Sequence, residues 1–139
     1  MFKSRVSDIK KERKKALFFR ELVSLIQELG SKEKDVAEVF VSHVEISPNS
    51  GICYVYFSTY KEPGEEIFHK VFPTLMLYKA SIRTAFAKRI QVRYVPELIF
   101  VYDKGKEKER RVNELLNKIQ DQEEASVPVR NEDNEGTEE

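Results

Sequence analysis

Apolar positions keep helical spacing through the first part of the chain. Val6, Ile9, Ala16, Leu17, Phe19, Leu22, Val23, Leu25, Ile26 and Leu29 predict a helix over 8–28, with Gly30 placed as its C-cap. The period then falls to two. A strand is predicted over 36–46, with Val39, Val41 and His43 on one face and Phe40, Ser42, Val44 and Ile46 on the other. The turn residues SPNSG lead into a second strand over 52–60, which puts Ile52, Tyr54 and Tyr56 on one side and Cys53, Val55 and Phe57 on the other. The two make an antiparallel hairpin.

After the break KEPGEE, helical spacing returns through Ile67, Phe68, Val71, Leu75, Met76 and Leu77. Glu65 and Glu66 suit the first turn of that helix. Pro73 predicts a kink or a late start, and a second irregularity is expected at 78–81. A short amphipathic helix follows, with Ile82, Ala85, Phe86, Arg89 and Ile90 in register. A strand is then predicted over 91–102, where Val92, Tyr94, Leu98, Phe100 and Tyr102 share parity and Pro96 marks an edge or a bulge. Val112, Leu115, Leu116 and Ile119 give a last helix a stripe that can dock on the body. The order is α-β-β-α-α-β with an added C-terminal helix. The expected architecture is α+β, a three-stranded sheet covered on one face by helices.

Charge changes this picture. The 139 residues carry 24 Lys+Arg and 24 Asp+Glu, a formal net charge of zero that hides a segregation. Residues 1–120 contain 23 Lys+Arg against 16 Asp+Glu, a net of +7, and residues 121–139 contain one Arg against 8 acids, a net of −7. The chain therefore divides into a basic domain, 1–120, and an acidic tail, 121–139, too poor in apolar residues to order itself. A basic body points to a polyanionic partner. Four cations, Arg83, Lys88, Arg89 and Arg93, cluster around the turn from the short helix into the third strand, and residues 1–15 add 7 basic residues against 2 acids.

Other chemistry is sparse. A lone cysteine excludes an internal disulfide and fits a reducing, cytoplasmic setting. No stretch is apolar enough to span a bilayer or serve as a secretory signal. His43, His69 and Cys53 lie at unrelated spacings, without a metal-ligand or nucleophile pattern. No catalytic residue, metal or cofactor is expected, and Cys53 reads as a small core residue. Tyr54, Tyr56 and Tyr60 carry the potential to stack on bases, with cross-strand packing under the helices the plainer reading for Tyr54 and Tyr56. Glu97 beside two arginines reads as an orienting or capping group.

Two stretches carry a resemblance. In EVFVSHVEISPNSGICYVYFS (38–58) the residues are Val39, Val41, Val44, Ser47, Val55 and Tyr56; in SIRTAFAKRIQVRYVPELIFVYD (81–103) they are Ile82, Arg83, Ile90, Arg93, Val95, Pro96, Glu97, Leu98, Phe100 and Asp103. The chain resembles the ribosome-binding factor A family over about 8–119. The resemblance implies a type II KH-like domain, not an enzyme, that binds the small (30S) ribosomal subunit and its 16S rRNA and assists late maturation. It also implies a monomer that binds free rather than translating subunits. RNA-contacting candidates are then Arg83, Lys88, Arg89, Arg93, Lys79, Lys10 and Lys14, with Arg89 the most structural of the helix cations. The family's Ala-x-Gly interruption between consecutive helices corresponds to Tyr78-Lys79-Ala80, where alanine replaces glycine, and Asn49 stands where the family usually has an acid in the hairpin turn. The alternative reading is a basic KH-like module docking on an acidic protein partner; the third, a small enzyme, has almost no support.

Overall fold

Among the described residues the hydrophobic pattern resolves into three helices, one short 3-10 turn and three strands. The structure is a computed structural model that describes the backbone of residues 2–138 and the side chains of residues 6–122. In order come α1 (Phe2–Lys32), a 3-10 turn (Val36–Glu38), β1 (Val39–Ile46), β2 (Ile52–Thr59), α2 (Gly64–Ile90), β3 (Glu97–Tyr102) and α3 (Lys104–Glu138). The chain forms two compact units, 1–103 and 104–139. In the first, the sheet runs β1-β2-β3, with β1 antiparallel and β3 parallel to β2. The expected α+β, KH-like architecture is the one observed.

The core lies between α1, α2 and one sheet face. Phe18, Leu22, Leu25 and Ile26 bury one stripe of α1, and Phe68, Val71, Leu75, Ile82, Phe86 and Ile90 bury one stripe of α2. Val6 and Ile9, part of the predicted α1 stripe, are exposed. The helix also runs through Gly30 instead of ending there. A Cβ at Gly30 would sit 3.3 Å from Ala37 Cα, so this glycine allows α1 to approach the 3-10 turn closely. That turn takes Val36–Glu38 out of the predicted first strand, which begins at Val39.

A second correction concerns α2. The two consecutive helices expected from Pro73 and 78–81 are one continuous helix of 27 residues. Its buried stripe passes through both expected breaks. Each of those side chains contributes about 1.5–3 kcal/mol on burial, against about 3 kcal/mol for one interior proline, so burial wins. Ala80 is a good helix former, and none of 78–81 has a positive φ. The helix stops at Gln91, which takes φ 49° and ψ 46° as a left-handed cap, its N–H donating to Ala87 O.

Strand parity also differs. Val41 pairs with Phe57 and His43 with Tyr56, so Ser42 is an extra residue, a β-bulge. The bulge flips the alternation. Val39 and Val41 face the helices before it, and Val44 faces them after it. On β2 the inward residues are Cys53, Val55 and Phe57. Tyr54 and Tyr56 therefore lie on the opposite face, not under the helices. Burial raises the Cys53 thiol to about 12, which keeps it protonated and inert near neutral pH.

The third strand is shorter than predicted, starting at Glu97. Pro96 precedes it, so the proline interrupts no ladder. At the start of α2, Gly64 is required: a Cβ there would overlap the Tyr102 hydroxyl and stand 2.8 Å from Thr59 Oγ1. In the second unit, Arg111 Nη2 donates to Glu107 Oε1 at 2.7 Å along α3. Val112, Leu115, Leu116 and Ile119, the expected apolar stripe, lie on this helix. The expectation of a disordered tail falls on residues outside the described side chains.

Two outcomes follow. Pro73→Ala restores a helix hydrogen bond within the continuous α2 and should stabilise the protein by about 1–3 kcal/mol in chemical denaturation; a loss of stability would mean that the helix needs the break. Tyr78 donates a hydrogen bond of 2.6 Å to Glu33 Oε1, which holds its phenol above the ordinary pKa. The folded state thus favours neutral Tyr78. This stabilisation is full below pH of about 10 and is lost as pH rises through the folded pKa. Tyr78→Phe should remove that alkaline component, so the melting temperatures of the two proteins should converge above that pH.

Candidate nucleic-acid interface

The apolar stripe of α2 leaves a second stripe facing outward. Met76, Lys79, Ala80, Arg83, Thr84, Ala87 and Lys88 recur at three- and four-residue spacing along it. With Val95 and Glu97 they line an open groove of about 920 Å³. Ala80 and Ala87 are small, so the floor is a shallow trough. Lys79, Arg83 and Lys88 place cations around it, and Glu97 is the one acid lining it.

Arg83 has a further task. Its Nη2 donates to Val95 O at 2.9 Å and its Nε to Pro96 O at 3.2 Å. After the left-handed turn at Gln91, the chain runs back beside α2, which brings these carbonyls level with the arginine. Arg83 thus straps down the segment before β3, and Glu97 N–H donates to Gly51 O at 2.9 Å just beyond. Val92 and Val95 pack against the core, while Arg93 and Tyr94 point to solvent.

The remaining candidates are dispersed. Arg89 faces α1: its Nη2 lies 2.6 Å from Glu28 Oε2, its Nη1 3.8 Å from Glu21 Oε1 and 3.2 Å from Ser24 Oγ. Its role in the structure is to tie the two helices. Lys14 donates to Ser50 Oγ at 2.9 Å and lies over the Phe18 ring. It lines a second, smaller pocket with Lys11, Lys15, Ser47 and Ser50. Lys10 is exposed on α1. In the hairpin turn, Asn49 Oδ1 accepts from Ser47 Oγ and Gly51 N, both at 2.9 Å, which are acceptor duties an acid would also perform.

One cluster had no signal in the sequence. Across the outer sheet face, Asp103 Oδ2 accepts from Ser42 Oγ at 2.6 Å and stands 3.0 Å from His43 Nδ1. In a Ser-His-Asp triad the imidazole stands between the hydroxyl and the carboxylate. Here the carboxylate is in the middle, and the nitrogen nearest Ser42 is the same Nδ1, 3.5 Å away. The hydroxyl proton is directed to Asp103, so the cluster fastens the bulge to the end of β3. Among the described residues no group of three or more His, Cys, Asp or Glu can hold a metal ion, and no helix is long and apolar enough to cross a membrane.

The fold defines a small α+β, KH-like module that carries a cation-rimmed groove on α2. The sequence profile of the ribosome-binding factor A family matches residues 10–116, and the chain belongs to that family. It is 31% identical over 100 residues to ribosome-binding factor A of Aromatoleum aromaticum, covering 72% of this chain and 76% of that one. It is 35% identical over 106 residues to that of Nitrosococcus oceani, covering 73% and 78%. The crystal structure of the Thermus thermophilus factor superposes with a TM-score of 0.55 at 24% identity, covering 66% of this chain and 94% of that one. Coordinates of the Thermus thermophilus factor fitted into a cryo-EM map of its complex with the 30S subunit give 0.53 at 22%, covering 66% and 92%. These likenesses bear on the fold.

The strap is testable. Arg83→Ala should cost about 1 kcal/mol of stability and speed hydrogen exchange of the Glu97 amide, which donates to Gly51 O just beyond the strap. Lys88→Ala should leave that amide unchanged; equal exchange in both variants would remove the strap.

Proposed function

We propose that this chain binds the small ribosomal subunit by laying 16S rRNA along the α2 groove, and that it assists late maturation of the 30S particle without catalysing a reaction. The observation that carries the reading is the groove itself: cations on its rim, small residues on its floor, in a chain of the ribosome-binding factor A family. The Thermus thermophilus relative fitted into a 30S complex supports the same partner. Lys79, Lys88 and Arg93 supply phosphate contacts. Arg83 adds charge while holding the loop, and Lys10 and Lys14 offer a second basic surface on α1. In this reading the protein acts in the cytoplasm as a monomer on free subunits. The competing reading, an acidic protein partner on the same cations, makes no demand for RNA.

Removing one phosphate-binding cation should flatten the dependence of log affinity on log salt by roughly 0.7–0.9. Lys79→Ala, Lys88→Ala and Arg93→Ala should each weaken binding to a small-subunit rRNA fragment and flatten the slope, with folding intact. Unchanged affinity and slope in the triple variant would place the RNA elsewhere, with Lys10 and Lys14 next to test. The net charge of −7 on 121–139 competes with RNA for the basic body. Its deletion should strengthen non-specific RNA binding and leave the melting temperature nearly unchanged; a large fall in melting temperature would mean that the tail is docked.

A further inference from the structure

The tyrosines of this chain are not equivalent. Tyr56 stacks on His43 with ring centroids 4.2 Å apart and an interplanar angle of 9°. Tyr60 packs on Phe40 at 4.7 Å. Tyr78 is held by Glu33. Tyr94 is 76% exposed, and no other aromatic ring among the described residues packs on it. It is next in the chain to Val95, which lines the α2 groove. Arg93 Cζ stands 5.4 Å from the centre of its ring, a cation–π geometry. The segment that carries it is not slack. Val92 and Val95 are packed on the core on either side, and Arg83 grips the carbonyls of Val95 and Pro96. The backbone that carries the ring is therefore anchored, while the ring itself stands in water with Arg93 over one face.

We propose that Tyr94 is a base-stacking platform at the rim of the groove, with Arg93 beside it to meet the neighbouring phosphate. The groove then takes RNA with at least one unpaired base, not a continuous duplex. In a duplex every base is already stacked between its neighbours, and the deep, narrow major groove of A-form RNA keeps side chains from the base edges. A splayed base offers its face to an aromatic ring without regard to sequence. This inference rests on the groove being the RNA site.

The test uses the full chain and two RNA probes, a short single strand of mixed sequence and a hairpin duplex. The protein contains no tryptophan, so Tyr94→Trp introduces a single reporter and keeps a stacking surface. Tyr94→Ala should bind the single strand about tenfold more weakly with an unchanged salt slope, because every phosphate-binding cation is still in place. It should bind the duplex as the wild type does. Tyr94→Trp should keep wild-type affinity for the single strand, and its fluorescence should be quenched over the same concentration range as binding. Wild-type binding by Tyr94→Ala, or unquenched tryptophan at saturation, overturns the platform while leaving the groove reading intact. If the wild type binds neither RNA in a salt-dependent way, both fall together. Thermal unfolding of each variant checks that an exposed substitution has not cost the fold.

Discussion

Phe18 and Phe86 meet edge to face at 5.0 Å between ring centroids, both without solvent exposure. That contact fixes how α2 is rotated about its axis. With Phe86 turned inward, Ile82 and Ile90, one helical turn to either side, turn inward too. A helix advances 100° per residue, so the positions on the far side have no choice but water. Thr84 and Lys88 are those positions, while Lys79 and Arg83 lie on a flank, from which Arg83 reaches the loop before β3. Arg89, on the flank between the two faces, meets Glu28 and Ser24 of α1 and reinforces the same rotation. Core packing thus sets the α2 side of the groove, and the loop that Arg83 holds sets the other.

The sheet depends on a quieter constraint. One extra residue at Ser42 reverses the alternation of β1, and Asp103 holds that residue from the end of β3. Strict period-two spacing assigns His43 to the face of Val39 and Val41, because nothing in FVSHV marks where an alternation slips. The partner that stabilises the slip lies 61 positions away. The hairpin, its turn and the third strand were legible because β-branched residues and SPNSG act locally. The bulge was not, because its cause is tertiary. The same holds for α2: a proline and an expected interruption are local signals, and the buried stripe that overrides them needs the sheet and α1 to be present.

The site was legible in the same uneven way. Composition located the basic cluster, but a charge count treats four neighbouring cations as one group. The structure separates them by partner. Arg89 is engaged by carboxylates and Arg83 by backbone carbonyls, while Arg93 leans over a tyrosine ring and Lys88 reaches the groove. Helical phase told Arg89 apart in advance, since it falls beside the apolar stripe. Arg83 could not be told apart, since its acceptors belong to a loop whose path is set by the left-handed residue Gln91. That conformation is unusual for a residue other than glycine, asparagine or aspartate, so the sequence carried no warning of it. Met76 reads in the sequence as one more apolar position of the helix, and Ala80 and Ala87 give no binding signal, although small residues at helical spacing away from the core are what make a trough.

This sorting bears on what the groove can recognise. An arginine already satisfied by carbonyls would have to surrender them to grip a phosphate, and the loop would lose its strap. The lysines on the rim have no such obligation. Lysine is a flexible point charge without the planar fork that reads a phosphate or a base edge in two places at once. Lys79 and Lys88 can therefore supply affinity and orientation, but little discrimination between one stretch of RNA and another. Discrimination falls to shape: a trough with a floor of alanines and a methionine, closed on one side by a loop that Arg83 keeps in place. A site built this way selects for how a strand is presented more than for its sequence. On the proposed RNA reading, that is the form of recognition open to a factor whose ligand is one locally exposed segment of a folded RNA.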